Sequence, residues 1–393
     1  MKPTLATSMF AAALALTACN TTHAPEAEEL YLIVGSYSAA TDEGIKVFSF
    51  DENTGTPTYL SGLSGIENPS FVYPSADGTR LYAVGENFEA KKGSANALSF
   101  DKATGTLTLL NTQPTHGDAP CNIIVSPSSV GSEQVGKWLY TSNYNGGSIT
   151  EFPLDAEGKL GEGRVIAFSG SSVDSTRQTQ PHLHAVNFTP DGRFLLANDL
   201  GTDNVHVFPA AAPLDTTKLT DIKVPAGMGP RHLCFAPAPS TGSGQALRAY
   251  LLGEISGDVV TFSYEAQGDA GPALTLLDAQ TVRADSLGAE GSADIHISAD
   301  GRFLYTSHRL KGDGVSIFRV SEADGTLTKV GYQPTGIHPR NFTLSPDGKW
   351  LLVACRDDNV VQIFARDAET GLLKPTGKKI EMSKPVCLQW VAR

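Results

Sequence analysis

A short apolar segment that ends in phenylalanine recurs seven times along the chain of 393 residues. The copies read GIKVF, NALSF, SITEF, NVHVF, DVVTF, GVSIF and VVQIF, and they end at Phe48, Phe100, Phe152, Phe208, Phe262, Phe318 and Phe364. Successive copies lie 46 to 56 residues apart, which is the period of a four-stranded propeller blade with variable loops. The repeat therefore predicts an all-β protein, a single β-propeller with seven four-stranded blades.

Two further patterns complete most repeats. Before the phenylalanine segment, runs such as TPDGRFLLANDL place a Pro-Asp-Gly-like turn between two apolar strands. After it, runs such as DKATGTLTLL supply a second turn and an outermost strand. Aspartate followed by glycine caps a hairpin turn and provides its positive-φ residue, so we interpret the turn aspartates as structural. They are Asp77, Asp191, Asp300 and Asp347.

The two ends of the chain are predicted to share one blade. Six innermost strands are expected to begin at Pro69, Pro120, Pro181, Pro230, Ala293 and Pro339, one fewer than the phenylalanine strands. The segment 384–391, KPVCLQWV, has the same Pro-led apolar form, while the chain opens at Leu30 with the other three strands of a blade. Pairing the two ends would close the ring and leave no free edge strand. We therefore expect one domain, from residue 30 to 393.

The first 29 residues have a different character. Residues 1–19 read as a lipoprotein signal peptide, with Lys2, an apolar run too short to span a bilayer, and Leu16-Thr17-Ala18-Cys19 as a lipobox. Residues 20–29 are polar and contain Pro25, as expected of a flexible tether. This pattern predicts an exported lipoprotein, periplasmic or anchored to the outer membrane through Cys19. An uncleaved secretory leader with a chance cysteine is the alternative.

Charge and cysteine content narrow the function further. With 30 Lys and Arg against 42 Asp and Glu, the net charge of −12 and the absence of a basic cluster argue against a nucleic-acid partner. The other cysteines lie in apolar strand-like runs, without the close spacing of a zinc site. They are expected to be buried free thiols, although Cys355 and Cys387 could bridge in an oxidising compartment. All four are Cys121, Cys234, Cys355 and Cys387.

Two columns of residues are expected to meet at one rim of the channel, because each innermost strand starts there and each second strand ends there. The first column holds Ser70, Cys121, His182, Arg231, Asp294, Arg340 and Val386, with His184, His232 and His296 close behind. The second holds Glu86, Tyr144, Glu254, Arg309 and Arg356. Because the first column is polar mainly from Pro181 onward, we expect a site on the arc of four blades between Pro181 and Arg356. The other side of the rim is left to packing.

Five segments resemble one known family. They are QPHLHAVNFTPDGRFLLANDLG (180–201), GPRHLCFAP (229–237), GEISGDVVTF (253–262), SADIHISADGRFLYTSHR (292–309) and HPRNFTLSPDGKWLLVA (338–354). The chain is similar, from about Leu30 onward, to the seven-bladed lactonases, which include propeller-type 6-phosphogluconolactonases and the fungal carboxymuconate-lactonising enzyme. The resemblance implies hydrolysis of 6-phosphogluconolactone or a related aldonolactone to the open acid, with this small-molecule lactone as partner and no cofactor.

The resemblance also implies a set of site residues. The catalytic candidates are Glu254, Arg231, His182, His184 and Arg309, and the substrate-binding candidates are His232, Asp294, His296, Arg340 and Arg356. Lactone opening requires activation of water and stabilisation of charge on the carbonyl oxygen. Glu254 could accept the proton from water, Arg231 with Arg309 could polarise the carbonyl, and one of the two histidines could protonate the leaving oxygen. Arg340 and Arg356 could hold a carboxylate or phosphate.

Several alternatives stay open at this point. The same cations suit a muconate-type lactonising isomerase, and a propeller can also be a lipid-anchored binding module without catalysis. The rim charges could also only satisfy one another across a wet channel. No metal is expected, although His182, His184, Asp294 and His296 have a spacing that could hold a divalent cation. Export also suggests an unphosphorylated substrate, since sugar-phosphate lactones should be scarce outside the cytosol.

Overall fold

The computed structural model describes residues 30–89, 92–127, 137–237, 247–264, 274–276, 282–283 and 291–392. The predicted signal peptide, the tether and Cys19 lie outside these residues. Within the described part of the chain, no helix has the length and apolar character needed to cross a membrane.

Seven antiparallel sheets form the seven blades of a β-propeller, as predicted. From the channel outward, blade 1 contains β29 (Pro385–Ala392), β1 (Leu30–Ser36), β2 (Ile45–Asp51) and β3 (Thr56–Leu63). Blade 2 contains β4 (Val72–Pro74), β5 (Arg80–Gly85), β6 (Ser94–Asp101) and β7 (Thr106–Pro114). Blade 3 contains β8 (Pro120–Val125), β9 (Trp138–Asn143), β10 (Ser148–Pro153) and β11 (Arg164–Ala167). Blade 4 contains β12 (Leu183–Phe188), β13 (Phe194–Asp199), β14 (Asn204–Pro209) and β15 (Thr220–Lys223), with a 3-10 turn at Thr216–Lys218.

The remaining blades follow the same order. Blade 5 contains β16 (Pro230–Phe235), β17 (Leu247–Gly253) and β18 (Asp258–Tyr264), and β18 then pairs with both β19 (Leu274–Leu276) and β20 (Val282–Arg283). Blade 6 contains β21 (Ser292–Ile297), β22 (Phe303–His308), β23 (Gly314–Val320) and β24 (Leu327–Pro334). Blade 7 contains β25 (Pro339–Leu344), β26 (Trp350–Cys355), β27 (Val360–Arg366) and β28 (Leu373–Glu381). Each of the seven repeated phenylalanines lies in the third strand of its blade, which confirms the interpretation of the repeat.

Pairing of β29 with β1 closes the ring, as the sequence predicts. The register runs from Leu30 opposite Ala392 to Ser36 opposite Pro385, and the two strands are antiparallel. Leu388 in β29 is 2% exposed and packs in a cluster that joins blade 1 to blade 7. Its amide also donates to Oδ1 of Asn341 in β25, at 2.7 Å. The C-terminal strand is therefore tied both to its own blade and to the neighbouring one.

The turn aspartates have the structural role expected of them. Oδ1 of Asp191 accepts hydrogen bonds from the amide of Arg193 at 3.1 Å and the hydroxyl of Thr189 at 2.7 Å. Gly192 between them has a φ of +70°, which a side chain would strain. The equivalent aspartates of blades 2, 6 and 7 accept the same kind of amide bond, from Thr79, Arg302 and Lys349.

The four cysteines that follow the tether are all free thiols, so the bridge between Cys355 and Cys387 is not formed. Three of them are buried and Cys234 is partly buried. Burial raises the pKa of the Cys355 and Cys387 thiols to about 12. They behave as small apolar side chains within the blades, as the sequence indicates.

Substituting Leu388 tests the importance of ring closure for stability. We expect Leu388→Ala to lower the free energy of unfolding by about 2–5 kcal/mol, because a cavity would open where blades 1 and 7 meet. Leu60→Ala, in the outermost strand of the same blade where the side chain is 40% exposed, should cost far less. Denaturant unfolding of the two variants measures the difference, and equal losses would contradict the role assigned to β29.

Candidate active site at the channel mouth

Irregular pairing at the start of the innermost strands directs side chains into the mouth of the channel. In five blades the ladder between the first and second strands shifts register and leaves one residue of the innermost strand unpaired. Such bulges re-aim a side chain, and they are common beside active sites. The five unpaired residues all line one of two cavities at this end of the channel; they are Cys121, His184, Arg231, Arg340 and Val386.

The larger cavity has a volume of about 540 Å³ and is lined by residues of six blades. Its lining comes from blades 1 to 5 and 7 and from the loops between strands: Tyr37, Asn68, Glu86, Phe88, Cys121, Tyr144, Arg177, His184, Glu254, Arg340, Arg356, Asp357 and Lys384. The cavity is therefore wider than the arc of four blades on which the sequence places the site. In blades 1 and 2 the polar groups come from the ends of the second strands. The sequence argument was based on the starts of the innermost strands, where these blades have small or apolar residues.

Glu254 is the most heavily paired side chain of the site. It follows β17, and its Oε1 accepts a hydrogen bond from Nη2 of Arg177 at 2.7 Å. Its Oε2 lies 2.8 Å from Nε of Arg231 and 3.2 Å from Nη2 of Arg309. Nε2 of His184 is 3.8 Å from the same oxygen. Three guanidinium groups thus surround one buried carboxylate.

These charges set the protonation state of Glu254. Burial alone would raise the pKa of its carboxyl, but the neighbouring Arg309 and Arg231 outweigh burial and hold the pKa well below its ordinary value. A carboxylate with so low a pKa takes up a proton poorly. The sequence-based expectation that Glu254 accepts the proton from water is therefore not favoured by its surroundings, which suit an electrostatic role.

Arg231 and Arg309 lie behind Glu254, and neither lines the larger cavity. Arg231 is 1% exposed, donates to the carbonyl of Ala293, and reaches only the small inner cavity of about 10 Å³. Nε of Arg309 donates to the carbonyl of Gly291 at 2.8 Å. The cations that do face the cavity are Arg177, Arg340, Arg356 and Lys384.

The two histidines of the Pro-His-x-His motif are separated by the fold. His184 lies in β12, lines the cavity and is buried, and burial together with the charge of Arg231 lowers its pKa well below the ordinary value. It is neutral at neutral pH. His182 precedes β12, where its ring stacks on Tyr144 at 4.4 Å and its Nδ1 lies 2.9 Å from the carbonyl oxygen of Tyr144. His182 supports the cavity wall but does not line it.

Asp294 organises the channel beneath the mouth. Its carboxylate lies 2.7 Å from Nδ1 of His232 and 3.1 Å from Nε2 of His296, and it accepts the side-chain amide of Asn341. Burial and the charge of Arg231 lower the pKa of His232 to about 4, so this ring is neutral, donating to Asp294 and accepting from Arg231 at 3.3 Å. None of these three predicted substrate-binding residues, Asp294, His232 and His296, lines the larger cavity.

Arg340 and Arg356, the other predicted binding residues, both line the cavity but differ in their partners. Arg356 forms a two-pronged ion pair with Asp357, with distances of 2.7 and 3.0 Å. Arg340 lies over the ring of Tyr37, 5.4 Å from its centroid. No carboxylate among the described residues is within ion-pair distance of Arg340. Its charge is therefore available to an anionic group in the cavity.

Several lining residues were not singled out from the sequence. Arg177 lies in the loop between β11 and β12, outside the repeats, and the loop is fixed by Ser172 bonding Asp203 at 2.5 Å and Gln178 bonding the carbonyl of Leu200 at 2.9 Å. The length and polarity of this loop could have indicated from the sequence that it contributes to a site. Tyr37 and Lys384 belong to the blade that joins the chain ends, and Phe88, 59% exposed, stands at the rim.

The four residues considered as a metal site are not brought together. His182 stacks on Tyr144, whereas Asp294 and His296 pair with each other below the mouth. In the part of the chain that the structure describes, no group of three or more His, Cys, Asp or Glu has an arrangement that could hold a metal ion.

Comparison with known proteins agrees with this architecture. Residues 31–390 match the family model "Lactonase, 7-bladed beta-propeller". A 6-phosphogluconolactonase of Formosa agariphila is 34% identical over 366 residues, 91% of this chain and 98% of that protein. The structure of a candidate 6-phosphogluconolactonase of Bacteroides fragilis is 47% identical, covers 94% of this chain and 99% of its own, and superposes with a TM-score of 0.82. A periplasmic gluconolactonase of Pseudomonas aeruginosa is 32% identical with a TM-score of 0.78, over 92% of this chain and 99% of its own.

The chain belongs to the lactonase family of seven-bladed β-propellers. The family resemblance inferred from the five sequence segments is confirmed.

Replacing Glu254 tests its electrostatic role. We expect Glu254→Gln to lower the free energy of unfolding by about 3–5 kcal/mol at neutral pH, because buried guanidiniums lose their counter-charge. Glu369→Gln, which breaks a surface pair with Arg302 where the carboxylate is 82% exposed, should cost less than about 1 kcal/mol. Because the folded-state pKa is lowered, the cost should be constant above the ordinary value of 4.5 and shrink as the pH falls below it. Denaturant unfolding at several pH values measures this, and a cost that grows in acid would contradict the role.

Proposed function

We propose that this protein hydrolyses a sugar lactone to the open-chain acid. The observation that carries the proposal is the cavity of about 540 Å³. Its lining contains two buried carboxyl groups and several cations, of which Arg340 has no carboxylate partner among the described residues. A monosaccharide lactone needs a pocket of this size class, polar on several sides. Membership of the lactonase family and the names of three relatives support hydrolysis over simple binding.

The positions of the cations suggest how the reaction is assisted. Attack of water on the lactone carbonyl places negative charge on the carbonyl oxygen, and fixed positive groups in a pocket shielded from water stabilise that charge strongly. Arg177 faces the cavity and is suited to this task. Arg231 and Arg309 act through Glu254, whose carboxylate in turn orients Arg177 from the other side.

The substrate is proposed to be 6-phosphogluconolactone or an unphosphorylated aldonolactone such as gluconolactone. Arg340, Arg356 and Lys384 provide positive charge at one side of the mouth, and an arginine fork matches either a phosphate or a carboxylate. Phe88 at the rim offers an apolar face to a sugar ring. One relative is named as a 6-phosphogluconolactonase and another as a gluconolactonase, which supports both candidate substrates.

A lactone panel with an Arg340 variant tests the activity and the substrate together. The full chain should open at least one of the two lactones faster than the spontaneous reaction. The rate is measured from the acid that is released. If the anionic group meets Arg340, Arg340→Met should lower kcat/KM for the phosphorylated lactone about tenfold to a hundredfold and for gluconolactone much less.

Arg319→Met, at an exposed position of blade 6, serves as the control and should leave both rates unchanged. A folded wild-type protein that opens no lactone above background, or that acts only on a muconate-type acid, would exclude the proposed hydrolysis.

We further propose that the protein is exported and lipid-anchored through Cys19. The support is the sequence of residues 1–29, with its short apolar run, lipobox and polar tether. One relative is named as periplasmic, which is compatible with export. An anchored enzyme outside the cytosol would meet unphosphorylated lactones, which favours gluconolactone over its phosphate.

Substituting the lipobox cysteine tests the anchor. In cells, the wild-type chain should be found in the membrane fraction with an acylated N-terminal Cys19 detectable by mass spectrometry. Cys19→Ala should abolish the modification and release the protein from that fraction, whereas Cys234→Ala should change neither. An unmodified wild-type N-terminus would refute the proposal.

A further inference from the structure

Two glutamates occupy equivalent positions on opposite sides of the propeller. Glu86 follows Gly85 at the end of β5 in blade 2, and Glu254 follows Gly253 at the end of β17 in blade 5. The amide of each glutamate donates to a carbonyl just ahead of the innermost strand, that of Asn68 at 3.0 Å and that of Gly229 at 2.8 Å. Both side chains are buried, at 3% and 6% exposure, and both line the larger cavity.

The backbone around Gly253 leaves no room for a side chain before Glu254. A Cβ on Gly253 would lie 2.6 Å from the backbone oxygen of Met228, whereas one on Gly85 would crowd only Oγ of Ser94, which can rotate away. The Gly-Glu pair is therefore a repeated device that brings a carboxyl group to the mouth from two opposed blades.

The hydrogen bonds of the two carboxyl groups differ. Oε2 of Glu86 accepts the hydroxyl of Tyr37 at 2.9 Å and the hydroxyl of Ser70. Among the described residues, no donor contacts Oε1 of Glu86. Glu254, in contrast, has both oxygens paired with guanidinium groups. Glu86 thus has one oxygen held in place and one left for a molecule in the cavity.

The surroundings also shift the pKa values of the two carboxyl groups in opposite directions. Burial raises the pKa of Glu86 above its ordinary value, and the neighbouring Arg340, Ser70, Tyr37 and Arg231 offset burial only in part. Tyr37 and Cys121, the other groups near Glu86 that could lose a proton, stay neutral because burial raises the pKa of both, that of Cys121 to about 12. Two carboxyl groups with opposite shifts in one pocket are typical of an acid/base group beside a permanently charged one.

We propose that Glu86 is the proton carrier of lactone opening, through Oε1. As a carboxylate it takes a proton from the attacking water, and the hydroxide formed adds to the carbonyl carbon. When the bond from this carbon to the ring oxygen breaks, Glu86 returns the proton to that oxygen, which leaves as a hydroxyl group. The new acid releases its own proton to solvent. This assignment rests on the proposed hydrolysis.

The other groups of the site fit this task less well. Glu254 is fully committed to arginines, and His184 has its pKa lowered by burial and by Arg231, so it binds a proton weakly. Tyr37 and Ser70 hold Glu86 and orient it. Arg340 lies over the ring of Tyr37, and its charge lowers the pKa of Glu86.

A matched pair of substitutions tests the role of Glu86. Glu86→Gln keeps the shape and the acceptor for Tyr37 but cannot carry a proton, so kcat should fall by about 10²–10⁴-fold with little change in KM. Glu67→Gln, an exposed carboxylate on the same blade, should behave as wild type. Thermal unfolding confirms that both variants are folded. A rise in KM with kcat unchanged in Glu86→Gln would show a binding role and overturn the assignment.

The pH dependence separates proton transfer from a structural effect. In the wild type, the acid limb of kcat/KM reports the ionisation of Glu86. Tyr37→Phe removes a hydrogen bond that lowers the pKa of Glu86, so this limb should move to higher pH. Glu86→Gln should abolish it. An acid limb unchanged in both variants overturns the proposal.

Failure of the inference and failure of the proposed function are distinguishable. A wild type active on lactones with an equally active Glu86→Gln variant overturns only the role of Glu86. A folded wild type inactive on every lactone overturns the hydrolysis, and the proton carrier with it.

Discussion

Antiparallel pairing of the last strand with the first is the interaction on which the rest of the structure depends. Leu30 and Ala392 are paired although they lie at opposite ends of the described sequence. Only a closed ring brings the starts of the innermost strands and the ends of the second strands to a common mouth. Because this contact joins the most distant parts of the chain, its loop-closure entropy must be overcome before the pocket exists. The active site is thus a product of the whole ring and of no single blade.

Charge is distributed unevenly between the whole protein and its pocket. The chain carries a net charge of −12, yet four cations face the cavity and two more lie behind Glu254. Glu254 neutralises part of this charge and fixes three guanidiniums in place. The result is a locally positive mouth on an otherwise acidic protein.

Regular features of this protein could be predicted from sequence, and irregular ones could not. The spacing of the repeats identified the strands. The ring closure could be predicted because the sequence contains seven phenylalanine strands but only six innermost strands before its last segment. The two motif histidines appear equivalent in a regular strand, but β12 begins only at Leu183, which leaves His182 outside it and against Tyr144. Arg177 lies in a non-repeating loop, so no column contains it. Sequence placed Arg231 and Arg309 at the site, but only packing reveals that they stand behind Glu254.

The direction of the strands gives the molecule a polarity. Second strands end at the cavity, as Glu86 and Glu254 demonstrate, so β1 starts at Leu30 on the opposite face, with Ala392 of β29 beside it. Both ends of the propeller therefore leave from the face remote from the pocket. A support attached ahead of Leu30 would join the disc on its back and leave the entrance of the cavity unobstructed.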